Sequence, residues 1–452
     1  MFERVVVVIE AHFVTLPVKK VFFWLTIPSI MSMLFSSIYM MADGIFVGHF
    51  IGSDALAAVN MVIPVIMILF AISNMIAVGS SVKVSTALGE NHIEKARSIF
   101  SFSVVLVVGV GILFATVGLF LSKPLIYQII KDTSLAEMAV QYIQVFMIGL
   151  PFIMPLFAMD NFLRVCGKAR YSMWLNIVVS LLNIFLDWLM IAKWELGISA
   201  SAFATVISMF IGSVFSFTPF FSKKITLHFT KPKISKTELM GMLYNGSSEF
   251  LSSIASSFIA TIINGVLLYL GGSVAVASYG IVMYVDTLLV SILYGVVDSI
   301  QPAVSYNLGA GKVKRTFSFF KISCIFTAVI SIICMIAIIM FPDKLAAVFA
   351  KDENIQVVEM TIIALLLFAP SYLFTWFNMV TSAFLTAMDK PKESMIIMLF
   401  RTVLLPLVCL LLLTSIMGVY GVFSTTTLSS LLTCILAGLI WRKTACKLKA
   451  AF

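Results

Sequence analysis

The sequence predicts an all-α polytopic membrane protein, with twelve transmembrane helices in two six-helix bundles related by a pseudo-two-fold axis along the membrane normal. Three observations predict this: an apolar composition, twelve apolar stretches of membrane-spanning length, and an internal repeat. Of 452 residues, 61% are hydrophobic and 11% charged, where soluble domains average about 45–50% and 25%. Mean hydropathy is +1.09. A soluble globular protein is excluded, and the 13% of aromatic residues excludes a disordered chain. The six cysteines are scattered without metal-ligand or CxxC spacing and read as small apolar residues. Met1–Lys20 contains Glu3, Arg4 and Glu10 and runs into a long apolar span, so it does not read as a cleavable signal peptide.

A helix needs about 20 mainly apolar residues to cross roughly 30 Å of hydrocarbon. On that ruler the spans are 21–48, 55–81, 97–121, 136–162, 170–192, 197–221, 242–270, 274–300, 316–341, 357–387, 394–414 and 418–441. Gly52, Gly197, Gly271-Gly272 and Gly418 punctuate the short connections. Basic residues test the map independently. With both ends on one side, 25 of the 30 Lys and Arg fall on that side; the opposite loops hold only Lys123, Lys131, Lys193, Lys344 and Lys351. The positive-inside rule then puts both termini in the cytoplasm, which explains the net charge of +9 without a nucleic-acid partner. The hydrophilic stretch Lys223–Glu238 reads as a cytoplasmic link (223–238) between an N-terminal bundle, 1–222, and a C-terminal bundle, 239–452.

A shift of 220 residues pairs Gly52-Ser53 with Gly272-Ser273, Ala55 with Ala275, and Leu88-Gly89 with Leu308-Gly309. A shift of 222 pairs Leu163, Lys168 and Ser172-Met173 with Leu385, Lys390 and Ser394-Met395. Each repeat holds six spans, an even number, so the two share one orientation, a repeat type used by transporters.

Several local patterns carry a family resemblance. They are Pro28 followed by Tyr39, Asp43 and Gly48; Leu163 to Lys168; Asn183 to Asp187; and Gln301-Pro302 through Gly309 to Gly311. In this order and at these spans, the chain resembles the multidrug and toxic compound extrusion (MATE) family over nearly its whole length, and most of all its DinF-like and MepA-like branch. The resemblance implies a secondary antiporter of the bacterial cytoplasmic (inner) membrane, working as a monomer. It would export small organic, often lipophilic and cationic, compounds against inward H⁺ or Na⁺ flow, with no cofactor.

A charge at mid-membrane costs roughly 2.5–3.5 kcal/mol on insertion scales, so each of the six intramembrane acids calls for a reason: Asp43, Asp160, Asp187, Glu249, Asp286 and Asp298. Asp43 and Asp187 lie at similar depth on spans one and five, and each follows a polar residue by one turn, Tyr39 and Asn183. Such i, i+4 pairs share a helix face. Thr205 on span six reaches the same level. Two nearby carboxylates can share a proton or, with hydroxyl and amide oxygens, gather Na⁺. The resemblance implies that Tyr39, Asp43, Asn183, Asp187 and Thr205 form the ion-coupling network; the alternative is a static hydrogen-bond network. Asp286, on span eight with Tyr279, Tyr284 and Tyr294 nearby in sequence, suits a lipophilic cation through charge and cation–π attraction. Glu249 and Tyr284 join it as candidate substrate-binding residues, and a structural pairing of Asp286 with Asn264 or Gln301 is the other reading. Asp160 and Asp298 lie near cytoplasmic ends, where Arg164 or Lys168 could pair with Asp160.

An enzyme is disfavoured: the chain has no HExxH, GxSxG or P-loop motif, and its four histidines are separated. Without a nucleotide site, an ion gradient is the expected energy source. A flippase for lipid-linked oligosaccharides or lipids is the alternative. It would be expected to show several intramembrane basic groups, where this chain has essentially Arg401.

Overall fold

A computed structural model describes residues 12–221, 225–349 and 355–451. Glu3, Arg4 and Glu10, the start of the link at Lys223, and Lys351 lie outside the described residues. Among the described residues, eleven helices are long and apolar enough to cross a membrane. They are α1 (Val18–Ile51), α2 (Ser53–Gly89), α3 (Ile93–Ile129), α4 (Thr133–Val165), α5 (Ala169–Lys193), α6 (Ile198–Phe221), the 74-residue Lys236–Gly309, α9 (Val313–Met340), α10 (Ile355–Ala387), α11 (Pro391–Met417) and α12 (Val419–Leu448).

A straight 74-residue helix would be about 110 Å long, several bilayers deep. Lys236–Gly309 avoids this by leaving helical geometry at Gly272 (φ 65°, ψ −160°). It is therefore two spans, α7 (236–271) and α8 (273–309), and the chain is the twelve-helix protein expected from its sequence. Only glycine takes that backbone region without strain.

The turns bear out the repeat. Left-handed residues fall at matched positions of the two halves: Gly52 and Gly272, Asn91 and Gly311, Gly167 and Asp389, Gly197 and Gly418. Even the hydrogen bonds recur. Glu90 N donates to Thr86 O at 2.9 Å and Asn91 N to Leu88 O at 3.1 Å, while Ala310 N donates to Tyr306 O and Gly311 N to Leu308 O, both at 2.9 Å.

The chain clusters into two compact units, Met1–Phe250 with Ser305–Gly311, and Leu251–Val304 with Lys312–Phe452. In the first, α4 is buried over most of its length and packs against α2, α3 and α6, while α1 lies on α5. Its core includes Phe100, Phe146, Leu150 and Phe162. Close packing here uses glycine in place of side-chain bulk. A Cβ on Gly79 of α2 would overlap the Met242 carbonyl oxygen of α7, and one on Gly246 would overlap that of Met75. Gly89 and Gly309 meet Tyr306 and Thr86 in the same reciprocal way. Small residues at such crossings let backbones approach closely, as membrane helices require.

From Thr226 onward the link is anchored to α3. Ser98 Oγ accepts from Lys233 N at 2.7 Å and donates to Lys233 O at 3.0 Å. Ser101 Oγ accepts from Thr230 N at 2.9 Å, and Arg97 Nε donates to Thr226 O at 2.9 Å. Phe229 stacks among Phe100, Phe217 and Phe221. Ser235 then starts α7 with a capping box, its hydroxyl accepting from Glu238 N while the Glu238 carboxylate accepts from Ser235 N. In the second unit, Tyr279, Val282, Phe368, Tyr372 and Phe423 form the core.

Candidate functional site

The first unit gathers the polar residues of α1, α5 and α6. Asn183 Nδ2 donates to Thr205 Oγ1 at 3.1 Å, joining α5 to α6. Ser201 Oγ donates to Asp43 Oδ1 at 2.6 Å, joining α6 to α1. Asp43 and Asp187 are close enough for their charges to interact, and Tyr39 lies in the field of Asp43. Asp187 is 0% exposed, and both of its carboxylate oxygens lack a hydrogen-bond partner, as does Asn183 Oδ1. Buried carboxylates are normally paired or hydrogen-bonded, because desolvating the charge is costly. Three unsatisfied oxygens one turn apart on α5 are therefore acceptors suited to a proton or a small cation.

Both acids stand at a change of helix type. Asp43 is four residues before the π-helical turn Val47–Ile51, and Asp187 immediately precedes another, Trp188–Lys193. Such wide turns loosen the i→i−4 ladder and are frequent at functional sites.

Two members of this cluster escaped sequence reasoning. Ser201 carried a usable signal, being four residues before Thr205 on the same helix face. Tyr142 carried almost none: a buried tyrosine of α4, it lies near Ser201 and within electrostatic reach of Asp43 and Asp187.

Asp160 is elsewhere and is satisfied. Arg164 pairs with one carboxylate oxygen, while Ser172 and the Asn176 amide (2.9 Å) donate to the other. The positions 222 residues on are Ser382, Thr386 and Ser394. There the network is neutral: the Thr386 and Ser394 hydroxyls share a hydrogen bond at 2.8 Å, and Ser394 Oγ donates to Ser382 O at 2.9 Å.

In the second unit, Tyr372 OH donates to Asp286 Oδ1 at 2.6 Å, Arg401 is close enough for its charge to act on Asp286, and Tyr279 lies in the field of Asp286. Arg401 lies in a third π-helical turn, Phe400–Leu404, with its Nη1 buried and without an acceptor. Asn264 is exposed. Tyr284 is 51% exposed. Glu249 belongs to the first unit and Asp286 to the second. Asp298 is half-buried on α8.

Comparison with known proteins adds an independent line. Residues 28–189 and 249–412 match the family model described as MatE, in two stretches that begin 221 residues apart (249 minus 28), in step with the repeat. The multidrug export protein MepA of Staphylococcus aureus (strain MSSA476) is 27% identical over 373 residues, covering 80% of this chain and 82% of that protein. A solved structure of MATE in complex with MaL6 superimposes with a TM-score of 0.93 at 24% identity, covering 97% of this chain and 99% of that one. The outward-facing conformation of a multidrug resistance MATE family transporter of the MOP superfamily also gives 0.93 at 24%, covering 97% and 98%. These two likenesses concern the fold.

Proposed function

The chain belongs to the MatE family, and from that membership we propose that it is a secondary antiporter exporting small organic compounds, chiefly lipophilic cations, in exchange for inward H⁺ or Na⁺. The observation that carries this reading is Asp187, wholly buried with both oxygens unbonded and within electrostatic reach of Asp43. A pair of this kind gains or loses an ion at a large free-energy difference between conformations, which is what coupling demands. The likeness to MepA, named as a multidrug exporter, supports the substrate class. The protein works in the bacterial cytoplasmic membrane with both termini inside, its two bundles being residues 1–222 and 239–452. The test is substrate-stimulated ion flux in proteoliposomes, with ΔpH and ΔNa⁺ imposed separately. Flux that follows one gradient names the ion; export with neither gradient would sink antiport.

Asp286 supplies cation selectivity in this reading, with the Tyr372 hydroxyl orienting its carboxylate and Tyr279 adding an aromatic face. Asp286→Asn is expected to weaken binding of monocations about tenfold more than that of neutral compounds of similar shape, the scale of one charge-assisted contact. Equal losses for both classes, measured by ligand-binding titration of the purified protein, would assign Asp286 a purely structural role.

A further inference from the structure

The two halves differ where α5 meets α6 and where α11 meets α12. In the first half Tyr171 OH closes this mouth, donating to Phe215 O at 2.8 Å and sharing a 3.0 Å hydrogen bond with Thr218. The residue 222 positions on is Glu393, and a cavity of about 520 Å³ opens beside it, between α11 and α12. Its polar wall is Lys390, Lys392, Lys443 and Lys447, with Glu393 as the one acid and Thr444 as a hydroxyl. Four positive charges against one negative give the cavity a net charge of +3 from the residues that line it.

Its floor is apolar, formed by Ile396, Ile440 and Leu448. Beyond that floor the helix surfaces stay apolar and exposed, with Leu439 63%, Ile435 56% and Val408 49% accessible. Trp441 falls between Leu439 and Lys443 along α12 and stacks on Phe320 of α9 with ring centroids 3.7 Å apart; tryptophan favours the level of a membrane–water boundary. A soluble anion would use the lysines alone. A molecule with an anionic head and hydrocarbon tails would use the lysines, the floor and the exposed faces together.

We propose that this cavity binds the phosphate headgroup of an anionic phospholipid, whose acyl chains lie along the exposed apolar faces of α11 and α12. Basic pockets between transmembrane helices recognise such headgroups through charge, each lysine adding to the attraction. Glu393 opposes it and keeps the affinity moderate.

The experiment uses the full chain in nanodiscs of mixed phosphatidylglycerol and phosphatidylcholine, with retained lipid counted by native mass spectrometry. Wild type is expected to retain phosphatidylglycerol in preference to phosphatidylcholine. The combined Lys390→Gln, Lys392→Gln, Lys443→Gln, Lys447→Gln variant is expected to lose about tenfold or more of that affinity. Glu393→Gln is expected to raise it. A control with the same charge change on exposed lysines elsewhere, Lys19→Gln, Lys20→Gln, Lys312→Gln, Lys314→Gln, should retain lipid as wild type does. Surface substitutions of this kind leave the fold intact. Retention unchanged in the cavity variant, or an equal loss in the control, overturns the proposal. So does thermal stabilisation in detergent by inorganic phosphate equal to that by phosphatidylglycerol, which would mark a site for soluble anions.

Discussion

Asp43→Asn combined with Asp187→Asn is expected to reduce ion-driven export to background while the protein still inserts and folds. Driving a two-state protein from 1:99 to 99:1 takes about a 10⁴-fold difference in ion affinity between the states, about 5.5 kcal/mol. An amide keeps the shape of the carboxylate but takes up no proton and offers a cation no negative charge, so little of that difference survives. Either single substitution is expected to abolish gradient-driven export if, as proposed, the two acids hold the ion together. Tyr39→Phe, Asn183→Ala, Ser201→Ala and Thr205→Ala each remove one hydrogen-bonding group and leave both acids in place; smaller, several-fold losses are expected there, in line with about 1 kcal/mol for one hydrogen bond. Proteoliposome flux under an imposed gradient measures all of these, with detergent size-exclusion profiles as the check on folding. Full ion-driven transport by the double variant would refute the assignment of the driving site.

The second large effect concerns packing. Gly246→Leu and Gly89→Leu are each expected to cost at least the upper end of the ~1–3 kcal/mol typical of overpacking. The reason is what a side chain meets: the carbonyl oxygens of Met75 and Tyr306, which belong to helix backbones and cannot rotate aside. The helices must separate along the crossing, with loss of dispersion contacts on both sides. Gly109→Ala and Gly265→Ala are the controls, since a Cβ at either meets nothing within 4 Å, and alanine favours helix over glycine by up to ~1 kcal/mol. Thermal unfolding in detergent should show a marked drop for the first pair and none for the second. Wild-type stability of Gly246→Leu would mean the crossing gives way at little cost.

Much of the architecture was legible because lipid imposes a length on helices and a sidedness on lysines. The break at Gly272 was readable from a Gly-Gly pair between two apolar runs and from its match to Gly52. Helix ends were less readable: α3 continues to Ile129 and α2 to Gly89, beyond the bilayer ruler, because helices run on into water at no hydrophobic cost. In the site, same-helix relations such as Tyr39 with Asp43 follow from helical period alone. Cross-helix relations depend on how each helix is rotated about its axis, which an all-apolar helix does not reveal. That is why Tyr142 was missed. It is also why the partner of Asp286 on another helix, Tyr372, 86 residues away in sequence, was not readable, while Tyr284, two residues from Asp286, was named from proximity in sequence.

The Asp160–Arg164 pair and its neutral counterpart at Ser382 and Thr386 bear on how the duplicated halves were free to drift apart. Losing either member of a buried ion pair strands the other, at ~3–5 kcal/mol. A single substitution at Asp160 or Arg164 therefore carries a larger penalty than one among the hydroxyls of the second half. The hydroxyl set of the second half has no such lock, since each of its bonds is individually modest and one residue can be exchanged at a time. The two matched corners thus differ in how readily each accepts a single substitution: the charged one resists it, and the hydroxyl one tolerates it.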